Sequence, residues 1–229
     1  MKTPRRTFLQ SCALAGAGLV LASQRTAAED FAAPRRTDDL WQVLKNRRSV
    51  RQFRPDPVPE ADLRRILEAA RSAPTSGNQQ PWKFLVVREP STISAMHEAC
   101  VQHRAGPKAM DMMAAEADQQ REAEVRKRLA GYFSAPVYIV VLTDNSSQYP
   151  DYNHWDGPLA AGYLMLAARA LGYGTVFITD AIPEAITRQV LNIPERYTRV
   201  CITPLGLPLA WPDSPPKRPL DELVAWEKL

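Results

Sequence analysis

The chain is poor in the residues from which most catalytic motifs are built. Its 229 residues include three Cys, three His and ten Gly, and nowhere do they form HExxH, CxxC, GxSxG, a Walker loop or GxGxxG. Metalloprotease, thioredoxin-like, serine-hydrolase and simple dinucleotide-fold readings lose their usual support. Cys12 falls in the N-terminal segment, which leaves Cys100 and Cys201. Two thiols make no disulfide framework, although a single bridge between them stays open. Cys201, inside Val200-Cys201-Ile202, reads as a small buried hydrophobe. His97, Cys100 and His103 at i, i+3, i+6 fan over an arc of about 120° on a helix and converge poorly on a metal. No internal repeat occurs, and no apolar run reaches the ~20 residues that a membrane-spanning helix needs.

An excess of positive charge is also missing once its placement is considered. The formal net charge is +4, but Lys2, Arg5, Arg6 and Arg25 stand in the first 28 residues with no acid among them. Of the 29 basic residues that leaves 25 against 25 acidic ones, so the remainder is neutral. Nucleic-acid binding by charge is excluded. The first 28 residues have the three parts of an export signal: a basic start, an apolar run from Cys12 to Ala22, and small residues at Thr26-Ala27-Ala28. Arg5-Arg6 followed by Phe8-Leu9 resembles a twin-arginine signal. The expectation is a signal peptide over 1–28, a mature domain over 29–229, passage through the twin-arginine translocase and a periplasmic location. That route carries folded proteins, commonly with a cofactor already bound.

Along the mature part, Asp38 is placed to cap a helix running to about Asn46, with Leu40, Val43 and Leu44 on one stripe. Three prolines mark 47–59 as loop. Pro59 opens a second helix through Leu63, Ile66, Leu67 and Ala70 that stops at Ala73-Pro74. Strands are expected at Phe84–Val87, Val137–Thr143, Thr175–Ile178 and Val200–Leu205, with a helix from Pro183 to Leu191. Ser91 to Gly131 is helical with a break at Gly106-Pro107, and its second half reads as a long, weakly anchored lid within 102–132. Pro158 to Leu171 is apolar nearly all round, with Arg169 its only charge, and is a core or interface helix. Helices alternating with about four short strands make one α/β or α+β domain.

Three polar clusters interrupt this pattern. Arg47-Arg48-Ser49-Val50-Arg51 sets three guanidiniums and a hydroxyl within five residues, suited to a phosphate and a planar polar edge. Pro74-Thr75-Ser76-Gly77-Asn78-Gln79-Gln80-Pro81-Trp82 is dense in small hydrogen-bonding groups. Pro215-Pro216-Lys217-Arg218-Pro219-Leu220 is rigid and basic. Separately these are a basic loop, a turn and a tail. In this order and spacing, with Gln52-Phe53, Ala73, Lys83-Phe84 and Gly172-Tyr173-Gly174-Thr175, they resemble the nitroreductase family of FMN-dependent flavoproteins from Asp38 to the C-terminus.

That resemblance implies an α+β fold with a central, mostly antiparallel sheet flanked by helices. It also implies an intimate homodimer with FMN at the subunit interface. It would put Arg47, Arg48, Ser49, Lys217 and Arg218 at the FMN phosphate and Arg51 at the pyrimidine edge of the isoalloxazine. Pro74, Thr75, Ser76 and Asn78 would line the flavin from the other chain, and Ile178 and Thr179 would face its reactive side. Thr179-Asp180 stands where many members carry Glu-Gly. The 158–171 helix would be the dimer core. The implied activity is two-electron transfer by ping-pong exchange, from NAD(P)H or another reduced donor to an acceptor such as a nitroaromatic or quinone. The flavin carries the chemistry and no side-chain acid–base pair is required; His154 is the one tempting proton donor, on a loop that favours a surface role. The rival readings are a non-catalytic FMN-binding or electron-transfer module, and an α/β binding protein without flavin.

Overall fold

The computed structural model describes residues 39–106 and 115–229, with the side chains of 115–118 excepted. The expected signal peptide, its cleavage point and Asp38 lie outside the described residues. Helix α1 (Leu40–Asn46) is capped by Asp39, whose carboxylate accepts from the amides of Trp41 (2.9 Å) and Gln42 (3.2 Å). Those two amides are among the donors that the first turn leaves orphaned. Only Val43 of the expected stripe is buried; Leu40, Trp41 and Leu44 face outward. Helix α2 (Glu60–Arg71) starts after Pro59 and buries Leu63, Ile66 and Ala70 on one face.

Strand β1 (Trp82–Val87) pairs antiparallel with β2 (Val137–Asp144), and β2 with β4 (Tyr197–Gly206). The short β3 (Gly174–Thr175) closes the order β1-β2-β4-β3, every pairing antiparallel. The expected third strand shrinks because regular pairing ends at Thr175; Ile178 rejoins β4 only as an isolated bridge to Ile202. The fold is thus α+β with a four-stranded antiparallel sheet, as the sequence suggested.

Alternation along β2 sends its residues to two cores. Tyr138, Val140 and Leu142 join Met96, Cys100 and Val101 of α3 (Pro90–Ala105), Val125 and Leu129 of α4 (Ala115–Ala130) and Ile186 of α6 (Glu184–Val190). Val137, Ile139 and Val141 join α2 and the inner side of α5 (Asn153–Ala170). Helix α5 starts five residues before the expected Pro158, and the proline sits within its opening turns.

One expectation changes on this framework, and one open alternative, the Cys100–Cys201 bridge, closes in favour of the buried reading of Cys201. The described end of the supposed lid is anchored: Val125 and Leu129 are buried, Arg126 pairs with Glu98 (2.8 Å), and Arg121 donates to the carbonyl of Ala105 (3.0 Å). The two thiols are free and stand on opposite faces of the sheet, Cys100 in one core and Cys201 in the other. Among the described residues no helix is long and apolar enough to cross a membrane, and no group of three potential metal ligands converges.

Candidate functional site

The first cluster leaves the C-terminus of α1 in extended conformation and runs along the outer edge of the sheet. Ser49 bridges Thr175 in parallel, and the Val50 amide donates to the Thr175 carbonyl at 3.0 Å. Extended backbone sends alternate residues to opposite sides. Val50 turns into the core, whereas Arg47 and Ser49 are half-buried and Arg51 is exposed. Val50 fits only because residue 174 is glycine: a Cβ there would lie 2.8 Å from Val50 Cβ. The sequence thereby presents Arg47, Ser49 and Arg51 as a row on one side of an edge segment held by a core residue.

Arg48 curls back, donating to the carbonyls of Lys45 (2.7 Å) and Arg47 (2.8 Å) at the end of α1. Its charge is felt at Arg169 on α5, whose guanidinium lies 3.8 Å over the Trp211 ring and whose Nε is buried without a partner. Burial, and then the neighbouring Arg48, lower the Arg169 pKa. Two guanidiniums and an orphaned buried N–H, with no carboxylate bonded to either among the described residues, make a corner that an anion would complete. The donor set of this corner, with Arg47 and Ser49 beside it, suits a phosphate.

The second cluster is placed by α5 from its other end. After Pro74, Ser76–Asn78 form a tight turn with Gly77 and Asn78 both at φ 55°. The Ser76 amide donates to Asp156 Oδ1 (3.1 Å), and Gln79 Nε2 donates to Asp156 Oδ2 (2.7 Å). Gln79 also exchanges hydrogen bonds with the backbone of Tyr149 in both directions, at 3.0 and 2.7 Å. Thr75 Oγ1 accepts from the Gln80 amide (3.2 Å), which leaves Pro74 and Asn78 at the surface. Asp156 is buried and ties Ser76 and Gln79 of this cluster to the first turns of α5. It is the residue that reasoning from sequence passed over. Its signal was available as an acid in the first turns of an otherwise apolar helix.

Ile178 is buried, and its backbone exchanges two hydrogen bonds with Ile202, at 3.2 and 3.0 Å. Thr179 is exposed, and its carbonyl accepts from Arg199, which also donates to the Ile182 carbonyl (2.7 Å) and Thr187 Oγ1 (3.2 Å). Burial lowers the Arg199 pKa, and the carbonyls it serves fix the turn after β3. Lys217 and Arg218 lie on the exposed tail, where Arg218 pairs with Glu222 at 3.2 Å. The tail residues are not brought to the first cluster within this chain, although Trp211, six residues before Lys217, does reach Arg169. His154 is exposed, and its ring lies tilted against Trp155 with centroids 3.9 Å apart.

The structure therefore joins Arg47–Arg51 to the strand leading to Ile178 and Thr179, and places Pro74–Asn78 separately. With this geometry, the family model described as the nitroreductase family matches residues 44–207. The chain belongs to the nitroreductase family. An NADH dehydrogenase of Thermus thermophilus is 31% identical over 82% of this chain and 96% of its own length. A 5,6-dimethylbenzimidazole synthase of Rhodobacter capsulatus is 33% identical over 78% of this chain and 87% of its own. Among solved structures, a nitroreductase in complex with FMN from Desulfovibrio desulfuricans superposes with a TM-score of 0.63. It is 25% identical, covering 84% of this chain and 99% of that one. The nitroreductase relatives of this chain thus span more than one reaction on one fold.

Proposed function

We propose that this nitroreductase-family protein is an FMN-dependent oxidoreductase. It carries two electrons from NAD(P)H or another reduced donor to an acceptor such as a nitroaromatic or quinone, the two substrates entering in turn. It works as a homodimer in which each flavin site takes residues from both chains. The observation that carries this reading is the placement of the clusters at opposite ends of α5. Asp156 holds the second and Arg169 neighbours the first, thirteen residues or about 20 Å apart along the axis. A two-fold axis across α5 brings the start of one helix to the end of the other, so the second cluster of one chain meets the first cluster of its mate. The outward side of α5 is suited to that contact, since Trp155, Leu159 and Tyr163 recur at i, i+4, i+8 and are exposed.

In this reading Arg47, Arg48, Ser49, Lys217 and Arg218 hold the phosphate, and Arg51 lies at the pyrimidine edge. Pro74, Thr75, Ser76 and Asn78 line the flavin from the other chain, while Ile178 and Thr179 back its reactive side. Bound FMN supplies the two-electron chemistry. The protein contributes position and charge: the Arg51 cation stabilises the negative charge that reduction develops beside it. The segment 1–28 serves as a twin-arginine signal that sends the folded protein to the periplasm, where a quinol or redox protein can replace NAD(P)H as donor.

The visible spectrum of the purified protein, before and after anaerobic NADPH, tests this. A yellow protein that bleaches and then turns over a nitroaromatic is the expected result. A colourless protein indifferent to added FMN overturns the flavin reading. A yellow protein that no donor reduces productively favours an electron-transfer module instead.

A further inference from the structure

A cavity of about 340 Å³ is lined by Arg104, Val125, Arg128, Leu129, Tyr132 and Ala181. Its walls come from α3, from α4 and the turn after it, and from the loop after β3. Two contacts set it between residues assigned above to the flavin. A Cβ on Gly131 would lie 3.2 Å from the Arg51 carbonyl, so the turn carrying Tyr132 rests on the pyrimidine-edge residue. On the other side, Arg104 donates to the carbonyls of Asp180 (2.6 Å) and Ala181 (3.2 Å), immediately after Thr179.

The charges around this cavity are unequal in what they are free to do. Arg104 is engaged by those carbonyls, Arg121 by Ala105, Arg126 by Glu98 and Glu122, and Arg199 by Thr179 and Ile182. Arg128 makes no hydrogen bond or ion pair among the described residues. Among the described residues no carboxylate lines the cavity, and the nearby Asp180 accepts from Thr179 Oγ1. Buried Val125 and Leu129 supply an apolar floor. The space is ample for one substituted ring, since a cavity of roughly 150 Å³ already holds benzene.

We propose that this cavity selects a flat aromatic acceptor bearing a carboxylate, its ring on Val125 and Leu129 and its carboxylate on the Arg128 guanidinium. A planar fork of donors matches a carboxylate in two parallel hydrogen bonds, which an ammonium does not reproduce. The inference rests on the flavin reading, because it is the flavin that makes the cavity part of an active site. It names a substrate class that the clusters at 47–51 and 74–78 leave open.

The test uses FMN-loaded full-length protein titrated with benzoate and with benzyl alcohol, following the flavin absorbance. The ratio of kcat/KM for 4-nitrobenzoate to that for 4-nitrobenzyl alcohol is measured alongside. The wild type is expected to prefer the anion about tenfold in both, the size of one good charged hydrogen bond. Arg128→Ala is expected to bring both ratios close to one, and Arg128→Lys to fall between. A wild-type ratio near one overturns the proposal, as does an unchanged ratio in Arg128→Ala. Equal loss of acid and alcohol binding in that variant also overturns it, because the residue then shapes the cavity and does not select. A preparation that takes up no FMN overturns the flavin reading with it; a yellow one without anion preference overturns this inference alone.

Discussion

The two faces of the sheet are covered in different ways. On one, α3, α4 and α6 close over Met96, Cys100, Val101 and Tyr138, and their outer sides carry paired charges such as Glu98 with Arg126 and Glu184 with Arg188. On the other, α2 and α5 pack inward, but α1 buries only Val43 and leaves Trp41 77% exposed, and Trp155 on α5 is 57% exposed. Apolar burial of a large side chain is worth about 1.5–3 kcal/mol, so covering this face is what the proposed homodimer would gain. The first face stabilises the fold; the second keeps the exposed apolar surface that the proposed homodimer would cover.

The sharpest break in this comparison is Leu159→Glu with Tyr163→Glu on the outer side of α5. Both residues are exposed in the single chain, so folding by circular dichroism is expected to stay intact. Light scattering is expected to give a monomer, and flavin content to fall more than tenfold, since one dissociating hydrogen-bonded contact set per site already exceeds that factor. A dimer that keeps its flavin would mean that the apolar stripe on α5 is not the contact. The reverse break is Met96→Ala, fully buried on the other face. It is expected to cost about 2–5 kcal/mol in urea unfolding and to leave the oligomeric state of the folded protein unchanged.

Asp156→Ala sharpens the comparison at the seam between helix and cluster. Losing a buried carboxylate that accepts from Ser76 and Gln79 is expected to cost about 2 kcal/mol. FMN affinity should weaken by more than that loss of stability alone would cause, because Ser76 loses its anchor. Equal stability with unaltered FMN binding would make Asp156 dispensable to the site.

The smallest effect concerns acid. His97 stacks on Phe133 at 4.7 Å within the self-contained face, and burial, followed by Arg126, lowers its pKa. The unfolded chain takes up that proton below about pH 6.5, so stability present above that value is lost as pH falls towards and through the folded pKa. His97→Phe keeps the stacking and is expected to flatten the unfolding midpoint between pH 7 and 5. An unchanged pH profile would remove His97 from the account.

Much of this was legible in the sequence because it rests on local chemistry. The amphipathic spacing of Leu63, Ile66 and Ala70 and the apolar run at Val137–Thr143 each announce their element, whereas 47–51, read as a basic loop, runs extended beside Thr175. What escaped depends on long-range partners. Asp39 caps α1 in place of Asp38, as the carboxylate that meets Trp41 and Gln42 shows. The third strand ends early because β4 pairs with only Gly174 and Thr175 before the chain leaves it. The anchoring of α4 through Arg121 and Arg126 could not be read from a charged, weakly periodic stretch, since its partners lie on α3. Asp156 stood in view as an acid near the start of α5, but its role depends on Ser76, eighty residues away.

The two cysteines carry one more implication. Cys100 and Cys201 are separated by the sheet, and burial pushes their thiols up to about 11 and about 12. Neither is a thiolate at neutral pH, and neither can reach the other without dismantling a core. The fold has no covalent stake in whether its surroundings are reducing or oxidising. Its two described thiols would stay unpaired on either side of a membrane, which is compatible with the proposed address at its N-terminus.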